Sequence, residues 1–322
     1  MNFVITGQNV NQRLDKFLGQ EKIKTSQGHL FSRGQIQKLI SHGQVTVNQK
    51  LVKSHYRLKD NDSINLSPNF FKDKTKDEQT APALRLASWP LKIIKETSGF
   101  LVINKPAGLA VQNHQTATLV NILLAKFPSL KKIGDDPARP GLVHRLDKEV
   151  SGLMVIAKNQ ASFDNLKQQF QQRIIIKEYT ALVYGKIKAA YGLISFPIER
   201  SKKGYLMAAL PKTEKGQPNL VGRQAITEFQ VIKNFHNFTL VKVKIKTGRT
   251  HQIRVHFKAL AHPIVGDNLY GSSKTRLFNK KYNLGRIFLV ADKLSFTDLT
   301  GARHAFSLRL PLALKNFLKK IK

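Results

Sequence analysis

The chain has 322 residues, of which 54 are Lys or Arg and 20 are Asp or Glu, so its formal net charge is +34. This excess of positive charge gives affinity for polyanions through counterion release, and RNA, DNA or an anionic membrane surface is the expected partner. The absence of Cys excludes disulfides, thiolate zinc sites and cysteine nucleophiles. No apolar run is long enough to span a membrane and the first residues lack a signal-peptide pattern, so a cytoplasmic location is expected.

The amino-terminal part of the sequence predicts two helices followed by a short strand. The first helix contains residues 13–18, and the second follows Ser32, a good N-cap residue, and carries Ile36 on its apolar face. Gly43 ends the second helix, and the alternation at 45–47 predicts the strand. A polar stretch at 71–89 is typical of a linker, so we expect a small domain at 1–70 and a larger one at 90–322.

Residues of this first domain match a known module in the same order. They are Arg13-Leu14-Asp15, Ser32-Arg33, Ile36, Gly43 and Val45-Thr46-Val47-Asn48. This arrangement resembles the small RNA-binding module named after ribosomal protein S4, which implies that the first domain binds RNA. The basic residues expected to meet the RNA are Arg13, Arg33 and Lys38. The alternative for each of them is a charge that only keeps a helix face in contact with solvent.

The larger domain shows strand patterns separated by irregular lengths and occasional helices. Strands are predicted at 101–103, 153–157, 179–183, 225–231 and 241–245. From Thr250 the period becomes helical, with Ile253 on one face and Arg254 on another, and Pro263 is expected to stop this helix. This order predicts an α+β domain with a mixed, mostly antiparallel sheet and packed helices.

The densest group of chemically active residues is Gly141-Leu142-Val143-His144-Arg145-Leu146-Asp147, followed by Ser151-Gly152-Leu153. A carboxylate between basic residues and an apolar strand is expected in a loop, where Arg145 would help to keep Asp147 ionised, as a nucleophile must be. Taken alone, Arg145 and Asp147 would more often form a simple surface pair.

Further segments accompany this group in a fixed order. They are Asn104-Lys105-Pro106-Ala107-Gly108-Leu109, Lys177-Glu178-Tyr179, Thr247-Gly248-Arg249-Thr250-His251-Gln252-Ile253-Arg254-Val255-His256, His262-Pro263-Ile264-Val265-Gly266-Asp267 and Tyr270-Gly271. Together with His144-Arg145-Leu146-Asp147 they resemble the RluA-type pseudouridine synthase family, over residues 91 to roughly 312. The sequence departs from the usual pattern at Gln112, Val150 and Val290, which affects none of the proposed catalytic positions.

The resemblance implies an isomerisation of uridine to pseudouridine that needs no metal, nucleotide or redox cofactor. Asp147 would attack either uracil carbon 6 or the ribose anomeric carbon, and both possibilities stay open. Tyr179 would stack on the uracil and assist proton transfer, and Arg254 would pair with the catalytic carboxylate. For Tyr179 the alternative is a core aromatic residue, and for Arg254 a solvated helix charge.

The target base must leave its stack, and Arg145 either fills the space that the base vacates or is an electrostatic partner of Asp147. The other residues expected to contact RNA near the cleft are His144, Lys105, Arg249, His251 and Lys258. The expected substrate is structured RNA, with large-subunit ribosomal RNA or its precursor preferred over transfer RNA, and a membrane role is not expected.

Two other functions are compatible with parts of the sequence. The first is a non-catalytic RNA-binding or ribosome-assembly protein, because the charge and the first domain suit either role. The second is a metal-dependent hydrolase that uses His251, His256, His262 and Asp267. Its zinc pair would normally occupy positions four residues apart on a helix, and His251 and His256 are five apart, so the spacing disfavours it.

Overall fold

The computed structural model describes residues 2–21, 23, 30–67, 86–112, 118–201, 204, 206–211 and 221–321. The chain divides into two compact units, Met1–Ala83 and Leu84–Lys322, each with its own hydrophobic core. The linker predicted at 71–89 lies outside the described residues, except for its final positions from Leu86 onward. No helix in the described ranges combines the length and the apolar character needed to cross a membrane.

The amino-terminal unit packs two helices and a small antiparallel sheet around one core. Its elements in chain order are strand β1 (Asn2–Val4), a short 3-10 helix (Gly7–Asn9), helices α1 (Leu14–Gln20) and α2 (Arg33–Ser41), and strands β2 (Val45–Val47), β3 (Lys50–Leu51) and β4 (Ser63–Leu66). The strand order is β1-β4-β2-β3. The predicted order of helix, helix and strand is therefore confirmed.

Local sequence explains the ends of α2 and the hairpin that follows it. The Gln35 backbone N–H donates to the Ser32 hydroxyl, and the Ser32 N–H donates to the Gln35 side-chain oxygen, which is a reciprocal helix cap. Gly43 then turns the chain with a φ of 72°. Asn48 and Gln49 have φ values of 50° and 63° and join β2 to β3, as expected for a two-residue hairpin turn.

The larger unit alternates strands with a few helices. Its elements in chain order are strands β5 (Lys92–Glu96) and β6 (Phe100–Lys105), helix α3 (Leu119–Lys126), a 3-10 helix (Pro128–Lys132), strand β7 (Ser151–Ala157), helix α4 (Gln160–Gln171), strands β8 (Ile176–Tyr184), β9 (Tyr191–Ile194), β10 (Ile198–Arg200), β11 (Met207–Ala209), β12 (Thr227–Asn234) and β13 (Phe238–Ile245), helices α5 (Gln252–Ala259) and α6 (Ser273–Tyr282), strands β14 (Leu289–Thr297) and β15 (Arg303–Ser307), and helix α7 (Leu312–Lys320).

One large sheet organises this unit, in the order β5-β6-β7-β14-β8-β13-β12-β9, with β15 also paired to β14. In the described part of the chain its pairings are antiparallel except for β7 with β14, which run parallel through two residue pairs. Alternate residues of β8 enter different cores, because Ala181 and Val183 join one cluster while Leu182 and Tyr184 join another. The sheet is thus covered on both faces, and the predicted α+β class is confirmed.

Helix α5 differs from its prediction in two ways. It begins at Gln252, two residues after the predicted Thr250, and all its residues from Gln252 to Phe257 are buried, including Arg254. The helix ends at Ala259, before Pro263 is reached, because Ala261 adopts a left-handed conformation with a φ of 62°. The proline follows the end of the helix and does not itself terminate it.

Candidate active site

Three neighbouring strands bring the loop that carries Asp147 close to Tyr179. Asp147 lies in the loop that leads into β7, and Gly152 near the start of β7 pairs with Ala291 of β14. Ala291 pairs on its other side with Tyr179 of β8. Because adjacent strands lie about 4.8 Å apart, this row of residues fixes the spacing between the Asp147 loop and the tyrosine.

The parallel contact between β7 and β14 requires glycine at position 152. A Cβ atom there would lie 2.1 Å from the carbonyl oxygen of Ala291, and the φ of Gly152 is 134°. Any side chain at this position would push the two strands apart. Glycine is therefore required after Ser151, because only glycine lets β7, and with it the Asp147 loop, lie this close to β14.

Arg254 is the centre of the charged network in the site. Its Nε and Nη2 donate to the two carboxylate oxygens of Asp267 at 2.7 and 2.9 Å, and its Nη1 donates to Glu149 at 3.2 Å. The same Nη1 lies 3.6 Å from Oδ2 of Asp147. The guanidinium thus binds Asp267 in a bidentate manner and presents its remaining nitrogen to Asp147 and Glu149.

The protonation states in this network follow from burial and from neighbouring charge. Burial opposes the charge of Arg254, but the hydrogen bond and the charge of Asp267, helped by Asp147 and Glu149, raise its pKa overall. Burial, and then the charge of Asp147, raises the pKa of Tyr179, so its phenol stays protonated at neutral pH. The site therefore holds a permanent cation beside the Asp147 carboxylate and a neutral hydroxyl on Tyr179.

Asp147, Tyr179 and Arg254 line one cavity of about 620 Å³. Asp147 is the acidic residue in its described lining, and the basic residues there are Arg139, Arg145, Lys167, Arg173, Lys177, Lys246, Arg249 and Arg254. A cleft of this size with convergent polar groups suits a nucleotide, and its walls suit a polyanion. The cavity can hold one carboxylate against an uncharged nucleobase, while the basic side chains around it attract phosphates.

The loop before α5 is fixed by a buried glutamine. The Gln252 side-chain oxygen accepts from the Thr247 hydroxyl at 2.7 Å and from the Arg249 backbone N–H at 3.0 Å. His251 beside it has a left-handed backbone with a φ of 55°, and its Nδ1 lies 2.6 Å from the hydroxyl of Tyr270. A bulky residue rarely adopts this conformation unless its surroundings impose it, which is a common feature of functional sites.

Several residues predicted to contact RNA lie where RNA could reach them. Arg145 is exposed and lines the cavity, and in the described part of the chain the ion-pair partner of Asp147 is Arg254, not Arg145. Arg249 and His251 line the same cavity. Lys258 lies outside the cavity lining, exposed, with its ammonium 5.7 Å from the ring centre of Tyr270.

One predicted RNA contact, Lys105, needs correction, and a second, His144, is an uncharged ring. The side chain of Lys105 is fully buried, and its ammonium donates to the backbone carbonyls of Pro106, Leu109 and Lys148 at 2.8 to 3.2 Å, so no donor is left for a phosphate. His144 accepts a hydrogen bond from the Val155 N–H at Nε2 and stacks on Phe170. Burial, and then the charge of Lys177, lowers the pKa of His144 to about 3, so the ring is neutral. Lys105 anchors a loop and does not serve as a cation for RNA. His144 is a half-buried neutral ring in the lining of the cavity, so its contact with RNA stays a prediction.

In the amino-terminal unit, Arg13 and Arg33 converge on one buried carboxylate. Both guanidinium groups donate to Asp15 at 3.0 to 3.1 Å, while the arginine side chains remain 41% and 55% exposed. Each arginine is therefore held in one orientation with part of its surface open to a phosphate. The side chain of Lys38 lies outside the described residues.

The residues of the alternative metal site are engaged with separate partners. His256 is buried between the Thr227 hydroxyl and the Phe196 carbonyl, and Nδ1 of His262 bonds to the Tyr184 carbonyl. Asp267 is bound to Arg254. Within the described residues, no group of three or more His, Asp or Glu side chains is placed to hold a metal ion.

Asp267 is the functional neighbour whose role the sequence analysis missed. It was considered only as a metal ligand, although it ends a segment that accompanies the Arg254 helix. Its carboxylate also accepts the backbone N–H groups of Leu269 and Tyr270, and it is fully buried. The sequence does place an acidic residue shortly after the helix that carries Arg254. That pattern indicates an ion pair only once Arg254 is known to be buried, and the sequence analysis expected Arg254 on the solvated face or beside Asp147.

Two family models and a solved structure match parts of this chain. A family model described as RNA pseudouridylate synthase matches residues 99–259, and a model of the S4 domain matches residues 12–64. The solved structure titled human RNA pseudouridylate synthase domain containing 1 covers 70% of this chain and 87% of its own, with a TM-score of 0.57 and 28% identity.

Two bacterial relatives align with most of the chain. An uncharacterized RNA pseudouridine synthase of Bacillus subtilis is 37% identical over 272 residues, which cover 84% of this chain and 82% of the relative. The ribosomal large subunit pseudouridine synthase C of Vibrio vulnificus is 31% identical over 289 residues, which cover 89% of this chain and 85% of the relative. The chain belongs to the RluA-type family of RNA pseudouridine synthases and carries an amino-terminal S4 domain.

Proposed function

We propose that this enzyme converts specific uridines of large-subunit ribosomal RNA to pseudouridine, with Asp147 as the attacking carboxylate. The observation that carries the proposal is the position of Asp147, whose Oδ2 lies 3.6 Å from Nη1 of the buried Arg254, in a cavity whose other charged lining residues in the described part of the chain are basic. The carboxylate is held beside a permanent cation and open to a ligand, as a nucleophile in this reaction needs.

Arg254 orients the nucleophile indirectly as well as directly. Because Asp267 holds two of its nitrogens, the third points in a fixed direction toward Asp147. A guanidinium fixed in this way costs no reorganisation when charge moves onto or off the carboxylate. Attack at uracil carbon 6 and attack at the ribose anomeric carbon both fit this arrangement.

Tyr179 supports the uracil ring. Its phenol is neutral, because burial and the charge of Asp147 raise its pKa, so it acts as a flat surface and a hydroxyl and not as a phenolate base. The proton on carbon 5 then passes through the Tyr179 hydroxyl to a stronger base. We assign that role to Asp147, which is the carboxylate in the described cavity lining.

In this proposal the substrate base enters the cavity from a folded RNA, and Arg145 fills the gap that the base leaves. Arg145 is exposed at the cavity, two residues before Asp147, and it is not the ion-pair partner of Asp147 among the described residues. A planar guanidinium can replace a base in a stack at modest cost. Arg249, His251 and Lys258, together with Arg13, Arg33 and Lys38 of the S4 domain, contact the phosphates.

The choice of large-subunit ribosomal RNA follows the name of the Vibrio vulnificus relative and the S4 domain at the amino terminus. A cytoplasmic location goes with this substrate. The test compares pseudouridine maps of ribosomal and transfer RNA from cells with and without the gene. Cells without it are complemented with the wild type, with Asp147→Ala, or with Lys246→Met as a matched change of another cavity-lining residue.

We expect pseudouridine to disappear at defined positions of large-subunit RNA, and to return with the wild type and Lys246→Met but not with Asp147→Ala. Loss of sites from transfer RNA alone would overturn the substrate assignment. Full restoration by Asp147→Ala would overturn the role of the carboxylate.

A further inference from the structure

Lys177 is a cavity-lining cation that the proposed mechanism does not use. It lies on β8 two residues before Tyr179, and because side chains alternate along a strand, both point into the same cavity. Its ammonium lies 5.0 Å from the ring centre of Phe170, whose ring also stacks on His144 with centres 4.7 Å apart. The position is therefore defined on one side by an aromatic wall.

No carboxylate neutralises Lys177 in the part of the chain that the structure describes. The neighbouring Glu178 points to the other face of the sheet and pairs with Lys293 at 3.3 Å. Burial lowers the pKa of Lys177 to about 8, and no acidic group opposes this effect. The ammonium is still mainly protonated at neutral pH, so the free enzyme keeps a partly desolvated charge without an anion.

A desolvated cation without a partner is costly, and a fixed anion recovers that cost. The space next to the ammonium is open to such an anion, because Gly248 has no side chain there. A Cβ atom at Gly248 would lie 3.8 Å from Nζ of Lys177. Uridine itself is neutral, so the anion that RNA brings into the cavity is a backbone phosphate.

We propose that Lys177 binds a backbone phosphate flanking the extruded uridine, inside the catalytic cavity. This inference rests on the proposed function, since it requires the nucleotide to enter the cavity that holds Asp147. The proposed role of Lys177 differs from that of the exposed basic residues of the cleft, because its phosphate contact forms only when the target nucleotide has left its stack. Lys177 therefore favours the extruded state over non-specific binding.

The test is a double-substitution cycle between the protein and the RNA. The full chain and its Lys177→Met variant are compared on an RNA fragment that contains the target uridine, with either ordinary phosphates or a neutral methylphosphonate on the 5′ or the 3′ side of that uridine. Dissociation constants and pseudouridine formation are both measured. Lys246→Met is the control, because Lys246 lines the same cavity but is paired with Glu228 at 3.4 Å.

We expect Lys177→Met to weaken binding of the ordinary RNA by roughly 10-fold or more, as the loss of a charge-assisted contact implies. One of the two methylphosphonates should weaken wild-type binding by a similar factor and have little further effect on Lys177→Met. Lys177→Arg should recover most of the affinity. For Lys246→Met, the effects of the protein and RNA changes should be additive.

Thermal unfolding separates this role from a structural one. Lys177→Met removes an unpaired charge and keeps the length of the side chain, so the melting temperature of the free enzyme should stay the same or rise. Additive effects of Lys177→Met and both methylphosphonates would overturn the proposal, and a lowered kcat with unchanged binding would assign Lys177 to the uracil. If the wild type binds with the expected coupling but forms no pseudouridine, the proposed function fails and the phosphate contact stands.

Discussion

At the scale of single residues, the bidentate pair between Arg254 and Asp267 is the buried centre of the site, and on the proposed mechanism it also orients Asp147. Arg254 is only 2% exposed and Asp267 is fully buried, so neither charge can be solvated if the other is lost. Asp147 lies 3.6 Å from the one guanidinium nitrogen that Asp267 does not bind. The direction of that nitrogen depends on Asp267.

Arg254→Lys should therefore damage activity and stability together. An ammonium cannot bind both oxygens of Asp267 and still reach Asp147, so we expect kcat to fall by about 100-fold or more. The free energy of unfolding should drop by about 1–3 kcal/mol, because a charged hydrogen bond is lost inside the protein. Single-turnover kinetics and thermal unfolding of the purified variant measure the two effects.

Lys258→Ala is the matched control for this prediction, since Lys258 is exposed one turn further along the same helix. It should keep kcat and change only RNA affinity. Turnover of Arg254→Lys close to that of the wild type would remove the guanidinium from the mechanism.

At the scale of elements, one carboxylate ties together the two helices of the S4 domain. Asp15 of α1 accepts hydrogen bonds from Arg13 and from Arg33 and Gln37 of α2. Burial alone would raise the pKa of Asp15, but the hydrogen bonds from Arg13, Gln37 and Arg33 lower it overall. The ionised form thus holds the helices together and fixes the orientation of both arginines.

Asp15→Asn should loosen this pair of helices. We expect the amide protons of α1 and α2 to lose about 1–3 kcal/mol of protection in hydrogen exchange, because a charged acceptor for three side chains becomes a neutral one. RNA affinity should fall as well. Asp60→Asn, at an exposed turn of the same unit, is the control and should leave the protection unchanged.

Acid should have the same effect on the wild type. Because the folded pKa of Asp15 lies below the ordinary value of 3.8 for an aspartate, its contribution to stability is complete above that value and is lost as the pH falls through the lower folded pKa. The protection of α1 and α2 in the wild type should therefore decline below about pH 4. In Asp15→Asn this part of the decline should be absent, and an identical acid profile in both proteins would contradict the role of Asp15.

The sequence predicted these elements well where the signal was local. Ser32, Gln35 and Gly43 act within one helix, and the alternation of residues 241–245 acts within one strand, so their effects do not depend on distant parts of the chain. Lys105 could not be placed in the same way. Its carbonyl partners include Lys148, which the sheet brings beside it only after folding. From the sequence alone, Lys105 was therefore expected to be exposed.

The site shows the same division. Asp147, Tyr179 and Arg254 stand in segments whose order is distinctive, and all three line one cavity. The partnership of Arg254 with Asp267 was not predicted, because it depends on the turn after α5 that folds the following segment back. Lys177 was read as part of a motif and given no role, since its lack of an acidic partner is a property of the folded sheet.

At the scale of the whole molecule, the two units have cores that share no residue. The described part of the amino-terminal unit places twelve buried apolar residues in its core, from Ile5 to Leu66. Each unit can therefore unfold as a cooperative body of its own.

Calorimetry of the full chain should accordingly show two unfolding transitions. A shortened chain of residues 84–322 should keep the transition of the larger unit within a few degrees. It should also retain pseudouridine formation with a raised KM and a weaker dependence of RNA affinity on salt, because the S4 contacts to phosphate are lost. A single transition in the full chain, with the shortened chain unable to fold, would show that the units depend on each other.

The close contact of Gly152 with Ala291 also has a consequence for the order of synthesis. The ribosome makes the Asp147 loop, the tyrosine strand and the arginine helix first, and these remain without their central spacer until Ala291 emerges. A growing chain that already has its S4 domain therefore cannot yet hold the Asp147 loop at its spacing from Tyr179. On the proposed function, chemistry at the uridine thus starts only after the ribosome has passed Ala291.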